Sequence, residues 1–149
     1  MSKKIAVVFS CVVLMLFAAI AAFTWERQAI DEPLFGASRY GTETYWQDII
    51  HQELCQKETW ESIGKEVRLD DGTRVDLIFT KHACEIDWAN KWAEGVGQAV
   101  YYGLKTQRFP LVILLVKKGG WEKYRDRVQY CGVECWVYDT RTQEWLDKE

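Results

Sequence analysis

TRVDLIFTKHACEIDWANKWAEGVGQAVYYGLKT, residues 73–106, is the stretch that decides the fold of this chain. Two runs in its first half, Arg74 to Thr80 and Ala83 to Asp87, place successive side chains on alternate faces and predict two antiparallel strands. Its second half repeats apolar residues at helical spacing, which predicts a helix from Trp88 to Gly103, where the glycine ends it. The stretch therefore predicts a β-hairpin followed directly by a helix.

Polar groups concentrate where these predicted elements meet. Asp76 lies on the first strand, while Glu85 and Asp87 are two residues apart on the next and share one face of the sheet. Three polar side chains of the helix superpose within about 20° on a helix of 3.6 residues per turn: Lys91, Gln98 and Tyr102. Carboxylates beside an ammonium and an amide predict a metal-dependent phosphodiester site.

The flanking sequence supplies the rest of a domain. Thr42 is an N-cap signal for a helix from Glu43 to about Gln56, and Glu43 lies at the edge of its apolar stripe. An acid in a first turn also suits the helix dipole. The remaining predicted elements are three strands and a helix: Glu66–Leu69, Leu111–Val116, Trp121–Tyr130 (the helix) and Glu134–Tyr138. This α-β-β-β-α-β-α-β order predicts an α/β fold with a mixed central sheet flanked by helices.

Composition limits the class of partner. The chain has 149 residues, of which 48% are hydrophobic and 28% charged, as expected for one globular domain. The formal net charge of −3 excludes a global basic field, so any contact with nucleic acid requires a local patch. The cations that could hold a phosphate backbone are Lys105, Arg108, Lys117, Lys118, Lys123, Arg125 and Arg127. Solvated surface charge is the alternative for all of them.

The N-terminus predicts export. Lys3 and Lys4 precede a charge-free run from Ile5 to Phe23, whose length as a helix is about 28 Å, close to the thickness of the hydrocarbon core. Lysines before the run place the domain outside the cytoplasm, either periplasmic or anchored to the inner membrane. Ala19-Ile20-Ala21 also fits the rule for signal-peptide cleavage. The predicted segments are residues 1–23, a signal peptide or membrane anchor with a hydrophobic helix; residues 24–41, a linker; and residues 42–149, the domain.

The cysteines and histidines leave several chemistries open. Besides Cys11 in the apolar run, four cysteines allow two disulfides with three connectivities: Cys55, Cys84, Cys131 and Cys135. Buried free thiols are an alternative. Zinc is disfavoured because the spacing has no CxxC pair. The histidines, His51 and His82, stand in no ligand or Cys–His spacing and are predicted to be surface residues.

The element order and the acids together resemble the PD-(D/E)XK nuclease superfamily over residues 42–139. That resemblance implies a restriction-endonuclease-like fold with an acid on the first helix, an aspartate on the second strand and Glu-x-Lys on the third. Glu43, Asp76 and Glu85 match those acids. Gln98-x-x-x-Tyr102 is similar to the Q-x-x-x-Y element of helicase-associated nuclease domains. The segments GTRVDLI and EIDWANKWAEGVGQAVYY also resemble a group of small uncharacterised bacterial proteins with this predicted fold.

The resemblance implies a Mg²⁺ or Mn²⁺ site that hydrolyses phosphodiester bonds. Asp87 stands where the family has lysine, and Lys91, one helical turn later, is implied to take that role, as in members that relocate the lysine. The implied metal ligands are Asp76, Glu85 and the Ile86 carbonyl, with Glu43 or Asp87 acting through water. Lys91 would orient the attacking water or stabilise transition-state charge. Gln98 and Tyr102 would position the scissile phosphate or order the helix against the sheet.

Two alternatives remain for these residues. Glu85 and Asp87 could pair with Arg74 and Lys91 as a solvated salt-bridge cluster. The domain could also be a catalytically inactive member of the same fold that acts as a binding module in the cell envelope.

Overall fold

The computed structural model describes residues 41–57 and 60–148. The predicted signal peptide or anchor, with its hydrophobic helix, and nearly all of the linker lie outside the described residues. Among those described, no helix is both long enough and apolar enough to cross a membrane. The elements are, in chain order, α1 (Glu43–Lys57), β1 (Ser62–Arg68), β2 (Arg74–Phe79), β3 (His82–Trp88), a 3₁₀ turn (Ala89–Lys91), α2 (Trp92–Thr106), β4 (Phe109–Val116), α3 (Glu122–Tyr130), β5 (Glu134–Asp139) and β6 (Glu144–Asp147).

The six strands form one mixed sheet whose spatial order is the order of the chain. β1, β2 and β3 make an antiparallel meander; β3, β4 and β5 run parallel; β6 returns antiparallel to β5. The predicted α/β class, with a mixed central sheet and flanking helices, is confirmed. The sheet has one strand more than predicted, because β6 is a four-residue strand and is too short to give a clear periodic signal.

The sheet separates two hydrophobic layers. On one face, the stripe of α1 formed by Trp46, Ile50 and Leu54 packs against alternate residues of the central strands. On the other face, Ala99 of α2 and Val128 of α3 pack against the remaining alternate residues of β4 and β5. The apolar run of β4 is buried throughout, as expected for a parallel strand that helices cover on both sides.

The second predicted helix begins later than its pattern indicated. Trp88 still belongs to β3, because the parallel pairing with β4 continues through this residue. The 3₁₀ turn then separates the strand from α2 and contains Lys91. The prediction that Lys91 shares one α-helical line with Gln98 and Tyr102 is therefore wrong.

The same helix also ends later than predicted. Gly103 lies inside α2, and Gln107 adopts the left-handed conformation at the C-cap, with φ of 56°. Close packing explains the glycine, since a Cβ at Gly103 would lie 2.9 Å from the backbone oxygen of Arg108 and 3.3 Å from Pro110. Gly103 is thus a contact point between the end of α2 and the start of β4.

Gly103→Ala is expected to destabilise the fold by about 1–3 kcal/mol, because the added methyl meets backbone rather than a flexible side chain. Gly97→Ala on the same helix is the matched control. A Cβ there meets open space, so alanine should stabilise by about 1 kcal/mol through helix propensity. Urea unfolding of both variants measures the two effects. Equal effects at both positions would show that the close approach at Gly103 is not important.

Candidate active site

Asp76 and Glu85 meet where β2 and β3 separate. The ladder between these strands includes Leu77↔Cys84. Continued by one residue, that register brings Asp76 opposite Glu85. At this point a side chain accepts the hydrogen bond in place of the backbone of β2: Asp76 Oδ2 accepts the backbone N–H of Ile86 at 2.8 Å. Both carboxyl groups are buried, with 7% exposure each.

Burial opposes the ionisation of both acids. Desolvation, followed by repulsion from Asp76, raises the pKa of Glu85 to about 9. Desolvation also raises the pKa of Asp76 to about 7, although the N–H of Ile86 opposes that rise. Within the part of the chain that the structure describes, Glu85 Oε2 has no hydrogen-bond partner. Two buried carboxyl groups in this arrangement either retain protons or require a cation.

A second group of charges, Glu43, Asp87 and Lys91, stands beside this pair. Lys91 Nζ lies 3.3 Å from Asp87 Oδ1 and 3.7 Å from Glu43 Oε2. The backbone N–H of Trp88 donates to Asp87 Oδ1 at 2.8 Å and orients this carboxylate. Burial raises the pKa of Glu43 and of Asp87, while the hydrogen bond to Asp87 raises that of Lys91. Lys91 therefore reaches back from the 3₁₀ turn to the acids.

Gln47 is a site residue that the sequence interpretation missed. Its side chain is buried at 3% exposure and hydrogen-bonds to Asp76, which opposes the rise in the pKa of that aspartate. Gln47 follows Glu43 by four residues, so both lie on one face of α1. The spacing from Glu43, and the position of a polar residue next to the buried stripe, are the sequence features that could have identified Gln47.

Glu66 of β1 was missed as well. The ladder between β1 and β2 places it opposite Asp76, and its charge raises the pKa of both Asp76 and Glu85. Its Oε2 pairs with Arg74 Nε at 2.7 Å. The sequence does contain a signal for this pairing. Glu66 and Asp76 are the same number of residues from Asp71, the centre of the Asp-Asp-Gly turn, so a hairpin about that turn pairs them.

The two α2 residues of the predicted site differ in their surroundings. Tyr102 is buried and packs with Val75 and Ile78. Burial raises the pKa of Tyr102, and so do the charges of Glu85 and Asp76. Gln98, one turn earlier, is half-buried, and within the described residues its amide forms no hydrogen bond with the acids.

The seven predicted phosphate-binding cations fall into two groups. Four make contacts outside the cleft described next: Lys105 with Asp70 and Asp71, Arg108 with the carbonyls of Phe79 and Thr106, Arg125 with Asp126 and Asp147, and Arg127 with the ring of Trp92. Lys117, Lys118 and Lys123 instead line a cleft beside Trp88. These three lysines form a local basic cluster next to the end of β4.

The cysteines of the described part are free thiols: Cys55, Cys84, Cys131 and Cys135. His51 Nε2 lies 3.6 Å from Cys55 Sγ and 2.7 Å from Ser62 Oγ. The prediction that neither histidine stands in a Cys–His spacing is therefore wrong, because four residues bring two side chains together on a helix. Both histidines are half-buried, and His82 Nε2 lies 3.3 Å from Glu134 Oε2.

The donor set suits a hard cation that keeps part of its water shell. In residues 41–57 and 60–148, no three His, Cys, Asp or Glu side chains converge as a ready coordination group. Mg²⁺ is usually held by one or two carboxylates together with several waters. Asp76 and Glu85 supply two such carboxylates, and the unpartnered Oε2 of Glu85 is available to a cation. The residues present thus fit magnesium or manganese.

No family model, curated protein or solved structure matches the chain. The resemblance to PD-(D/E)XK nucleases stays a prediction.

Proposed function

We propose that this protein is an exported, metal-dependent nuclease of the PD-(D/E)XK superfamily that hydrolyses phosphodiester bonds in nucleic acid. The observation that carries the proposal is the convergence of Asp76 and Glu85 from two separating strands, with Lys91 at the same edge. The element order from α1 to β5 is the order expected for a restriction-endonuclease-like fold. Export is inferred from the charge-free run of residues 5–23 behind two lysines.

Asp76 and Glu85 are the residues that would hold the ion. When bound, Mg²⁺ or Mn²⁺ supplies positive charge to the phosphoryl oxygens and lowers the pKa of a coordinated water. Because burial raises the pKa of both carboxyl groups, metal binding is coupled to the release of protons from them. Glu43 and Asp87 lie close enough to raise the pKa of Glu85 and are placed to act through water.

Lys91 is the residue that would act on the developing charge. Asp87, itself fixed by the N–H of Trp88, holds Lys91 Nζ from one side, and Glu43 holds it from the other. The ammonium is therefore oriented before substrate arrives. From this position it donates to the attacking water or to a phosphoryl oxygen, which stabilises the negative charge of the transition state.

The alternative is a catalytically inactive domain of the same fold that serves as a binding module. One observation favours it: Lys91 is already engaged by two carboxylates, and Asp87 occupies the position where a lysine is expected. Both functions predict nucleic acid or a protein as the partner. They differ in whether metal binding leads to cleavage.

Calorimetric titration of Mg²⁺ and Mn²⁺ into the purified protein, wild type beside Asp76→Asn, tests the proposal. We expect binding with proton release in the wild type and none in the variant. Asparagine still accepts the N–H of Ile86, so the fold should remain. Substituting a residue that only supports the metal ligands typically lowers activity about 10–100-fold. Because Asp76 is itself a proposed ligand, Asp76→Asn should lower metal-dependent cleavage of labelled oligonucleotides by more than that. Equal cleavage by both proteins would refute the assignment, and binding without cleavage would favour the inactive module.

A further inference from the structure

A cleft of about 310 Å³ opens at the carboxyl end of β4. Its walls combine three aromatic rings with three ammonium groups: Trp88, Trp121, Tyr124, Lys117, Lys118 and Lys123. We call it the basic aromatic cleft. No carboxylate lies among the described residues that line it, although the whole chain has a net charge of −3. Its volume is at the lower end of the range for small-ligand sites, about 300–1,000 Å³.

The basic aromatic cleft adjoins the candidate active site through the backbone. Trp88 directly follows Asp87 on β3, and the two residues pair with consecutive positions of β4. Asn90 of the 3₁₀ turn lines the cleft, while the next residue, Lys91, contacts Asp87 and Glu43. The cleft therefore begins one residue from Asp87 along β3, with the side chains of Trp88 and Asp87 on opposite faces of the sheet.

The ammonium groups of the cleft are available to an anion. Lys117 Nζ lies 4.5 Å from the ring centre of Trp88, and Lys123 Nζ lies 4.8 Å from that of Tyr124. In the described part of the chain, neither lysine pairs with a carboxylate. An exposed contact between an ammonium and a ring is weak, so a phosphate can replace it. Among the described residues, Lys117 and Lys123 are thus held over rings without a paired carboxylate.

The backbone of the cleft allows close approach. Gly119 and Gly120 join β4 to α3, and a Cβ at either position would meet nothing within 4 Å. Gly120 has φ of 84°, a conformation that other residues rarely adopt. The loop therefore presents bare backbone next to Trp121, and the side chain that lies over this ring is Arg125 of α3, whose Cζ is 5.2 Å from the ring centre.

We propose that the basic aromatic cleft binds single-stranded nucleic acid and leads it to the active site. Bases would stack on the rings of Trp121 and Trp88, and the phosphates between them would contact Lys117, Lys118 and Lys123. A duplex cannot use the rings in this way, because its base faces are already stacked on one another. Three lysines are also few for a duplex that must be held by charge alone. This inference rests on the proposed function and adds the strandedness of the substrate.

Fluorescence anisotropy of a labelled single strand and its duplex, in EDTA to prevent cleavage, tests the inference. We expect the single strand to bind at least about 10-fold more tightly. Three phosphate contacts predict a slope of about −2 for log K against log salt concentration. Lys117→Ala/Lys118→Ala should reduce that slope by about 1.4. Trp121→Ala should weaken binding about 10-fold and leave the slope unchanged.

Two substitutions outside the cleft serve as controls. Tyr130→Ala removes an aromatic ring that is 93% exposed near the far end of α3. Lys105→Ala removes an ammonium that is paired with Asp70 at 2.8 Å. Neither should change the affinity or the slope. Equal affinity for duplex, an unchanged slope in the lysine variant, or displacement of the strand by a polyglutamate peptide of equal charge would each overturn the inference.

The outcome for the cleft is separable from the outcome for the nuclease. If the cleft binds single strands but the protein is not a nuclease, the strand binds in EDTA and remains intact in Mg²⁺. If the protein is a nuclease but the cleft does not bind the strand, Lys117→Ala/Lys118→Ala cleaves single strands with the kcat/KM of the wild type. If both are correct, Asp76→Asn keeps the binding measured in EDTA and loses cleavage.

Discussion

In EDTA at about pH 8, Glu85→Gln is expected to be more stable than the wild type by up to about 5 kcal/mol. Burial and the neighbouring carboxylates raise the pKa of Glu85 from 4.5 to about 9. Folding near pH 8 must therefore place a proton on a carboxyl group that is ionised in the unfolded chain. Glutamine has nearly the same shape and a neutral head group, so it avoids that cost. Urea unfolding of both proteins across pH measures the difference.

The sign of this effect follows from proton binding. Between pH 4.5 and about 9 the folded wild type holds more protons at Glu85 than the unfolded chain does, so its stability falls as pH rises. The advantage of Glu85→Gln should vanish below pH 4.5 and grow toward pH 9. Glu144→Gln is the control, because Glu144 is exposed on β6. A gain for Glu85→Gln that does not vary with pH would exclude titration of this carboxyl group as its source.

Lys91→Ala is expected to lower kcat for phosphodiester cleavage by about 10²–10³-fold. The substitution removes the ammonium that contacts Asp87 and Glu43 at the edge of the site. The proposed metal ligands, Asp76 and Glu85, keep their positions, so Mg²⁺ binding should persist. Single-turnover cleavage together with calorimetric titration of Mg²⁺ separates the two effects.

The conservative variant and a distant lysine complete this test. Lys91→Arg keeps the positive charge and should retain more activity than Lys91→Ala, although its planar head group fits a different geometry. Lys105→Ala, at the other end of α2, should leave kcat unchanged. If Lys91→Ala cleaves as fast as the wild type, Lys91 has no role in the chemistry. If it loses Mg²⁺ binding as well, the lysine organises the site rather than the transition state.

Most of the fold could be predicted because its signals are local. The apolar stripe of α1, the Asp-Asp-Gly turn and the uninterrupted apolar run of β4 each lie within one short segment. Each predicted an element that the structure contains. The error at the start of α2 arose because pairing with a neighbouring strand, rather than the local sequence, sets where β3 ends. Pairing with β4 extends β3 through Trp88, which displaces the start of α2 and puts Lys91 in a 3₁₀ turn.

The sequence by itself determined the elements other than the 3₁₀ turn and β6, their order, and the placement of Asp76, Glu85 and Asp87 on adjacent strands. These follow from periodicity along the chain, which depends on nearby residues. The tertiary structure decided which side chains converge, adding Gln47 from α1 and Glu66 from β1 to the acids. It also brought Trp121 from the start of α3 to the same cleft as Trp88. Such meetings depend on strand separation and helix packing, and both are set by contacts between segments far apart in the chain.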